Sequence, residues 1–293
     1  MGLNCGKLDR KYWLNTLQGL PQTFGAILSA LKIIRQIKPN IVVSFGGYVS
    51  VPVVFASYLN KIPCLTHEQT PTLSLATKIN SFFCQKTCLS FSPKINKPKY
   101  VVTGNLLRHT IFNQKSELMD ILKYPSNLIY ITAGNQGSKI INQKIKELLP
   151  QLKKYTIIHQ TGANDINYFK KLETKYKNYL AFDYIQDYTI GSILNNANLI
   201  ISRSGANTCQ EIYTLNKKSI LIPLPKSQQN EQYLNAQWLK EKLPQYTSII
   251  PQEKLTADIL LKEIKTLSKV PNKKTKINQK PNLKLLNIIH EII

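Results

Sequence analysis

The sequence predicts an α/β protein built from two Rossmann-like parallel-sheet domains, and three observations carry that reading. Short apolar runs repeatedly end in glycine-rich turns and give way to residues at helical spacing, which is the strand–turn–helix–strand grammar of a parallel sheet. A length of 293 residues suits two domains of medium size. A hydrophobic content of 43% is enough for real cores, while no apolar run approaches the roughly 18–20 residues of a membrane span.

Taken in order, residues 1–20 read as a loop followed by a half-turn. Pro21 opens a helix, a favoured first-turn position for proline; Phe24, Ile27, Leu28, Leu31 and Ile34 repeat at helical spacing, and Pro39 closes it. That helix either packs on a sheet or, through Trp13, Leu17, Phe24, Ile27 and nearby lysines, offers a patch to a membrane. Ile41–Phe45, Ile62–Thr66 and Tyr100–Thr103 are strands of a first domain, residues 1–112. Residues 113–126, polar and containing Pro125, form the inter-domain linker. Leu128–Thr132, Thr156–Gln160, Leu180–Asp183, Asn198–Ile201 and Ser219–Leu224 are strands of a second domain, residues 127–270. PNKKTKINQKPN, residues 271–282, is a basic, breaker-rich linker, and Leu283–Ile293 is a short apolar helix.

The stretch 198–236 concentrates the chemistry. Its first strand runs into Ser202-Arg203-Ser204-Gly205 and then a helical pattern that carries Glu211. Gly205 allows close backbone approach, and the amides that follow have no partner inside the helix. Free N–H groups at the positive end of the helix dipole suit a phosphate or pyrophosphate. With the helix in register from Ser204, Ser204, Thr208 and Glu211 share one face. Two hydroxyls and a carboxylate a turn deeper suit a phosphate followed by a ribose diol. The bland alternative is an ordinary capped helix with a solvated glutamate; the Gln-rich loop ending in Asn230-Glu231-Gln232, whose amides can bind sugar hydroxyls, favours the ligand. Upstream, Gly46-Gly47-Tyr48-Val49-Ser50 is a second turn suited to phosphate approach. His67-Glu68 at a strand end suits acid–base work, against a structural histidine bonded to backbone.

Net charge is +23, from 39 basic and 16 acidic residues. Such a field favours anionic partners, namely a phospholipid surface, nucleic acid or a pyrophosphate ligand. The lysines are spread along every segment, which argues for a solvated surface and against specific nucleic-acid binding. Arginine occurs only at 10, 35, 108 and 203. That rarity singles out Arg108 and Arg203, because a planar guanidinium fork is not replaced by lysine. Cysteines 5, 64, 84, 88 and 209 form no disulfide framework; Cys84 and Cys88 lack the neighbours of a zinc site, and no metal is expected. With no signal-peptide pattern at the start, a reducing cytoplasm is the expected compartment.

SRSGANTCQEI, followed by a proline-ended strand and NEQYLNA, resembles the donor site of the MurG-type peptidoglycan glycosyltransferases of glycosyltransferase family 28. GGYVS at Gly46, Gly47, Tyr48 and Ser50 is similar to the family's second glycine-rich loop, on the acceptor side. His67, Glu68 and Gln69 stand in its HEQN motif, with Thr70 in place of the asparagine that meets the donor sugar. Gly104–Arg108 resembles GNPVR, whose arginine reaches the donor. Ala133–Ser138 resembles GGSQGA, with Asn135 where the phosphate-facing serine stands. Ile185 falls where the family's backbone recognises uracil. The resemblance places Ser204, Gly205, Ala206, Asn207, Thr208, Cys209, Gln210 and Glu211 at the donor, and Gln232 on its sugar. The family's first loop, GGTGGH, would precede this sequence. A start assigned too late, a genuine truncation and a piece supplied by a partner chain are the explanations, and the ordered motifs favour the first.

What the resemblance implies is a GT-B enzyme, two parallel-sheet domains facing a cleft. It would move N-acetylglucosamine, with inversion, from UDP-N-acetylglucosamine to a lipid-linked muramyl-pentapeptide acceptor. No obligatory cofactor or divalent ion is expected, since no Asp-x-Asp motif occurs and helix-terminus amides can meet the charge on the departing pyrophosphate. His67 is the catalytic candidate, and the last helix is expected to return to the first domain. The place of action would be the inner face of the cell membrane, held there by anionic lipids. The rival readings are another nucleotide-sugar:glycolipid transferase and an inactive, basic surface binder.

Overall fold

The computed structural model describes residues 13–92, 98–225, 227, 230–272 and 280–293, with backbone alone over 13–21 and at 280. The chain divides into two compact units, Met1–Leu106 with Gln279–Ile293, and Leu107–Asn278.

The first unit is a parallel sheet in the order β1 (Val42–Ser44), β2 (Cys64–Glu68), β3 (Lys86–Leu89), β4 (Tyr100–Val102). Successive parallel strands need crossovers, and the helices α1 (Trp13–Ile37), α2 (Ser50–Leu59) and α3 (Leu75–Phe83) lie between or before them. Alternation along β2 shows how the sheet is covered. Cys64 faces Val54 and Cys84, whereas Leu65 faces Cys88 and the last helix, α11 (Lys280–Ile292), through Leu285 and Ile288.

Three expectations change here. Pro21 lies inside α1 and not at its start. The proline forfeits one helical bond, a local loss that the remaining turns of a long helix outweigh. The buried stripe of α1 is Ala26, Ala30 and Ile34, while Phe24 is 64% and Leu28 55% exposed. Ala30 and Ile34 meet Ala56 of α2, the two alanines letting the helices approach closely, with Leu31 partly buried beside them. The proposed membrane residues Trp13 and Leu17 have side chains outside the described set. Finally, β2 runs two residues further than its apolar run, so His67 and Glu68 are strand residues; β3 was not read from the sequence at all, because Lys86 and Thr87 break its apolar pattern.

The second unit carries a six-stranded sheet, all parallel, in the order β10-β9-β8-β5-β6-β7. Its strands are β5 (Leu128–Thr132), β6 (Thr156–Gln160), β7 (Tyr179–Phe182), β8 (Leu199–Ser202), β9 (Ser219–Leu221) and β10 (Thr247–Ile249). Both faces are buried, as the continuous apolar runs require. Ile129, Ile131, Ile157 and Ile201 meet α5 (Lys139–Leu148), α6 (Ile166–Lys175) and α10 (Ala257–Lys269). Tyr130, Ile158 and Ile200 meet α7 (Asp187–Asn196), α8 (Ala206–Thr214) and α9 (Glu231–Lys242).

Residues 113–126, expected as a linker, belong to this unit. They contain α4 (Glu117–Ile121), capped by Ser116, and Met119 is wholly buried on the α7 side of the sheet. A short 3-10 helix, His109–Phe112, packs on α7 so tightly that a Cβ on Gly191 would stand 1.7 Å from the Thr110 carbonyl oxygen. The polar character of 113–126 concealed the apolar anchor Met119 within it, which is buried together with Ile111 just before the stretch.

Candidate active site

In a doubly wound sheet, ligands bind beyond the carboxyl ends of the strands at the point where strand order reverses. In the second unit that point lies between β5 and β8. The two strands are hydrogen-bonded neighbours, yet α5 leaves towards one face of the sheet and α8 towards the other. A cavity of about 450 Å³ opens between the loops that follow them. Gly134, Asn135 and Gly137 line it from β5, Ser202, Arg203 and Gly205 from β8, with Thr208 and Gln232 beyond.

The two loops are built differently. Gly137 has φ +71°, and a Cβ there would lie 1.8 Å from the Thr161 carbonyl oxygen, so no other residue fits without displacing backbone. Helix α8 starts at Ala206 with Gly205 as its cap and no side chain capping it. Cys209 N–H is bonded to the Gly205 carbonyl at 2.9 Å, the first bond of the helix, so the amides of Ala206 and Thr208 have no partner inside the helix. The backbone of Gly205 itself is ordinary, at φ −63°, so the glycine is not needed for its dihedral; a Cβ there would meet nothing closer than Thr208 Oγ1 at 4.0 Å. The register expected from Ser204 is therefore corrected. Ser204 precedes the cap, is fully buried and lines neither this cavity nor the recess beside it, whereas Thr208 and Glu211 line them. Ser202 Oγ, also buried, lines the cavity without a hydrogen-bond partner.

Glu211 is 5% exposed and stands in an adjoining recess of about 70 Å³ with Arg108, Tyr130, Ile185 and Thr208. Arg108 Nε donates to Glu211 Oε1 at 2.5 Å, and Nη1 donates to Asp187 Oδ1 at 3.0 Å. Arg108 is thus a partner of Glu211 inside the second unit, which corrects its expected reach from the first. Burial pushes the Glu211 carboxyl upward against the downward pull of Arg108. Burial pulls the guanidinium the other way, and the Glu211 and Asp187 charges hold it above its ordinary value. Gln232 accepts from Leu224 N–H through Oε1 at 2.9 Å.

Two family models match the chain: the glycosyltransferase family 28 C-terminal domain over residues 128–292 and its N-terminal domain over residues 1–89. The chain belongs to glycosyltransferase family 28. A family-28 relative from Clostridium tetani is 34% identical over 99% of this chain and 81% of its own. It is named UDP-N-acetylglucosamine–N-acetylmuramyl-(pentapeptide) pyrophosphoryl-undecaprenol N-acetylglucosamine transferase. The same name is carried by a relative from Clostridium novyi, 34% identical over 92% of this chain and 77% of its own. The crystal structure of Acinetobacter baumannii MurG superposes with TM-score 0.63 over 97% of this chain and 77% of its own, at 24% identity, and shares the fold of two parallel-sheet α/β domains.

Within this family-28 frame the remaining residues separate cleanly. Ile185 is buried among Ile190 and Leu194, forming an apolar wall of the Glu211 recess. Asn135 is exposed on the cavity loop and Asn207 on the first turn of α8. Ala206 is half-buried on that same turn, whereas Cys209 and Gln210 turn inward: Cys209 is core, its thiol pushed up by burial, and Gln210 bonds Thr214.

In the first unit, Gly46, Gly47 and Tyr48 form the turn into α2, with Ser50 Oγ donating to the Gly47 carbonyl at 2.7 Å and accepting from Asn80 Nδ2 at 2.8 Å. Glu68 accepts from the backbone N–H of Ser74 (2.8 Å) and from Thr70 Oγ1 (3.0 Å), so this carboxylate and Thr70 brace the turn around Gln69. His67 is wholly enclosed. Its Nε2 lies 3.1 Å from the Gly104 carbonyl oxygen, which only accepts, so Nε2 carries the proton; burial holds the ring below the usual histidine pKa. An enclosed neutral imidazole bonded to backbone fits a structural role, not the catalytic one expected.

Sequence reasoning left Asp187, Tyr130, Ser138 and Ser202 unassigned, and noted Arg203 only for its rarity. Nothing local marked them, since strand order and helix docking bring them to the two recesses.

Proposed function

We propose that this chain transfers N-acetylglucosamine from UDP-N-acetylglucosamine to the 4-hydroxyl of a lipid-linked muramyl-pentapeptide, the reaction named for its family-28 relatives. The observation that carries the reading is the switch-point cavity, where the uncapped start of α8 opens beside the buried carboxylate of Glu211. The diphosphate would lie against the 206–208 amides and the loop at Asn135. The ribose would meet Glu211 through Oε2, because Oε1 is engaged by Arg108, and the uracil would lie on the apolar side at Ile185. Gln232, its carbonyl oxygen already committed, would offer its NH2 to the sugar.

In the transfer, the acceptor oxygen bonds the anomeric carbon from the face opposite the leaving group and gives up its proton to water, the bond to the β-phosphate oxygen breaks, and negative charge gathers on UDP. Amides fixed beforehand at that charge lower the barrier. The acceptor side would lie with the turn at Gly46–Ser50, and the enzyme would work at an anionic inner membrane surface. Turnover is expected to persist in excess chelator.

The test is titration with UDP and assay of transfer to the lipid-linked acceptor, for the wild type and Glu211→Ala. The variant should raise the donor KM at least tenfold, a loss of about 1.4 kcal/mol or more. Unchanged donor kinetics in a folded variant would sink the assignment of Glu211, and a wild type that does not bind UDP would sink the whole reading.

A further inference from the structure

Arg203 is one of four arginines among 39 basic residues. It stands between Ser202, the last residue of β8, and the buried Ser204, at the switch point itself. Its two terminal nitrogens reach acceptors on three other segments. Nη1 donates to the carbonyls of Ile222 (3.0 Å) and Pro223 (3.2 Å) beyond β9. Nη2 donates to Ser138 Oγ (2.9 Å), at the cap of α5, and to Gln252 Oε1 (2.6 Å).

Every one of these partners is neutral. Among the described residues no carboxylate pairs with Arg203, in contrast to Arg108, and burial alone acts on its guanidinium, lowering its pKa. A half-buried cation held only by neutral groups is unfavourable until an anion completes the arrangement. The place for that anion adjoins it, because Arg203 lines the same cavity as the start of α8 and the unpartnered, buried hydroxyl of Ser202.

We propose that Arg203 supplies the fixed positive charge facing the nucleotide's diphosphate, while its fork holds the β5–α5 loop and the end of β9 in place around it. The inference rests on the donor-site reading and adds a residue to it. Four hydrogen bonds immobilise the fork before the ligand arrives, so the charge is aimed without further ordering. As the glycosidic bond breaks and charge moves onto UDP, a cation fixed there assists departure. Lysine could keep the charge but not the bidentate brace.

Comparing UDP with uridine isolates the diphosphate. Calorimetric titration of the full chain with each compound gives a UDP-to-uridine affinity ratio. Arg203→Met should lower that ratio about tenfold, the effect expected of removing one nearby fixed charge, with uridine affinity kept within about twofold. Arg203→Lys should hold the ratio within about threefold of wild type. An unchanged ratio in Arg203→Met, or uridine weakened as much as UDP, would overturn the proposal and leave only a brace. If the methionine variant does not fold, the lysine variant decides: a ratio kept supports the charge, and a ratio lost with the charge still present overturns it. A wild type that takes neither compound overturns the donor-site reading together with this one, whereas an unchanged ratio in Arg203→Met overturns this one alone.

Discussion

Beneath the cavity loop, His159 is fully buried between Tyr179 OH, 2.8 Å from Nδ1, and Asn142 Oδ1, 3.0 Å from Nε2. Asn142 donates through Nδ2 to the Thr161 carbonyl (2.9 Å) and to Asp165 Oδ2 (2.7 Å), so its Oδ1 is the accepting end. His159 therefore donates from Nε2, and in the neutral ring that burial favours, Nδ1 accepts from the Tyr179 hydroxyl. Burial lowers its pKa from 6.5 to about 3. Between those values the unfolded chain binds a proton that the folded chain refuses, so stability rises with pH across the window and is lost as pH falls below 6.5. The slope from this one group is about 1.4 kcal/mol per pH unit. Thermal melts between pH 4 and 6.5 should show a weaker pH dependence in His159→Gln than in the wild type. Equal slopes would mean that the ring does not carry the effect.

The β5–α5 loop depends on close approach. Thr161, held by Asn142, presents its carbonyl to Gly137, which is why the loop backbone can lie flat against the next strand's end. Gly137→Ala adds a Cβ where the backbone already stands, and the left-handed φ adds strain of about 1–3 kcal/mol. The expected result is a lower melting temperature together with a donor KM raised several-fold, read by calorimetry and initial rates. A variant with wild-type melting and kinetics would show that the loop relaxes freely. Helix α8 differs: its cap carries no side-chain bond, and Gly205 and Thr208 at its start line the cavity.

At the scale of the whole chain, a net charge of +23 favours anionic partners. Anionic vesicles should bind the protein more strongly than zwitterionic ones, and added salt should weaken that binding, since screening shortens to about 10 Å at 0.1 M. Exposed Phe24 and Leu28 on α1 offer an apolar component that salt does not screen. Phe24→Ser with Leu28→Ser is expected to remove the salt-resistant fraction in a vesicle sedimentation assay. Retention of that fraction would place the apolar contact elsewhere. Among the described residues no helix is long and apolar enough to cross a membrane.

Local pattern was enough for the parallel α/β class, for β5 and β6 to the residue, and for a helix starting after Gly205 without a side-chain cap, because a buried strand and an uncapped helix start are properties of short segments. The pairing of Arg108 with Glu211 came only with the tertiary structure, since the two lie 103 positions apart and meet because α7 and α8 cover the same face of the sheet. The same holds for the burial of His67 and Glu68, and for the exposure of Phe24 and Leu28 in place of Ala26 and Ala30. Spacing along one helix or strand defines which residues share a face. Which face is covered, and by what, depends on elements distant in the chain, and that was decided by folding.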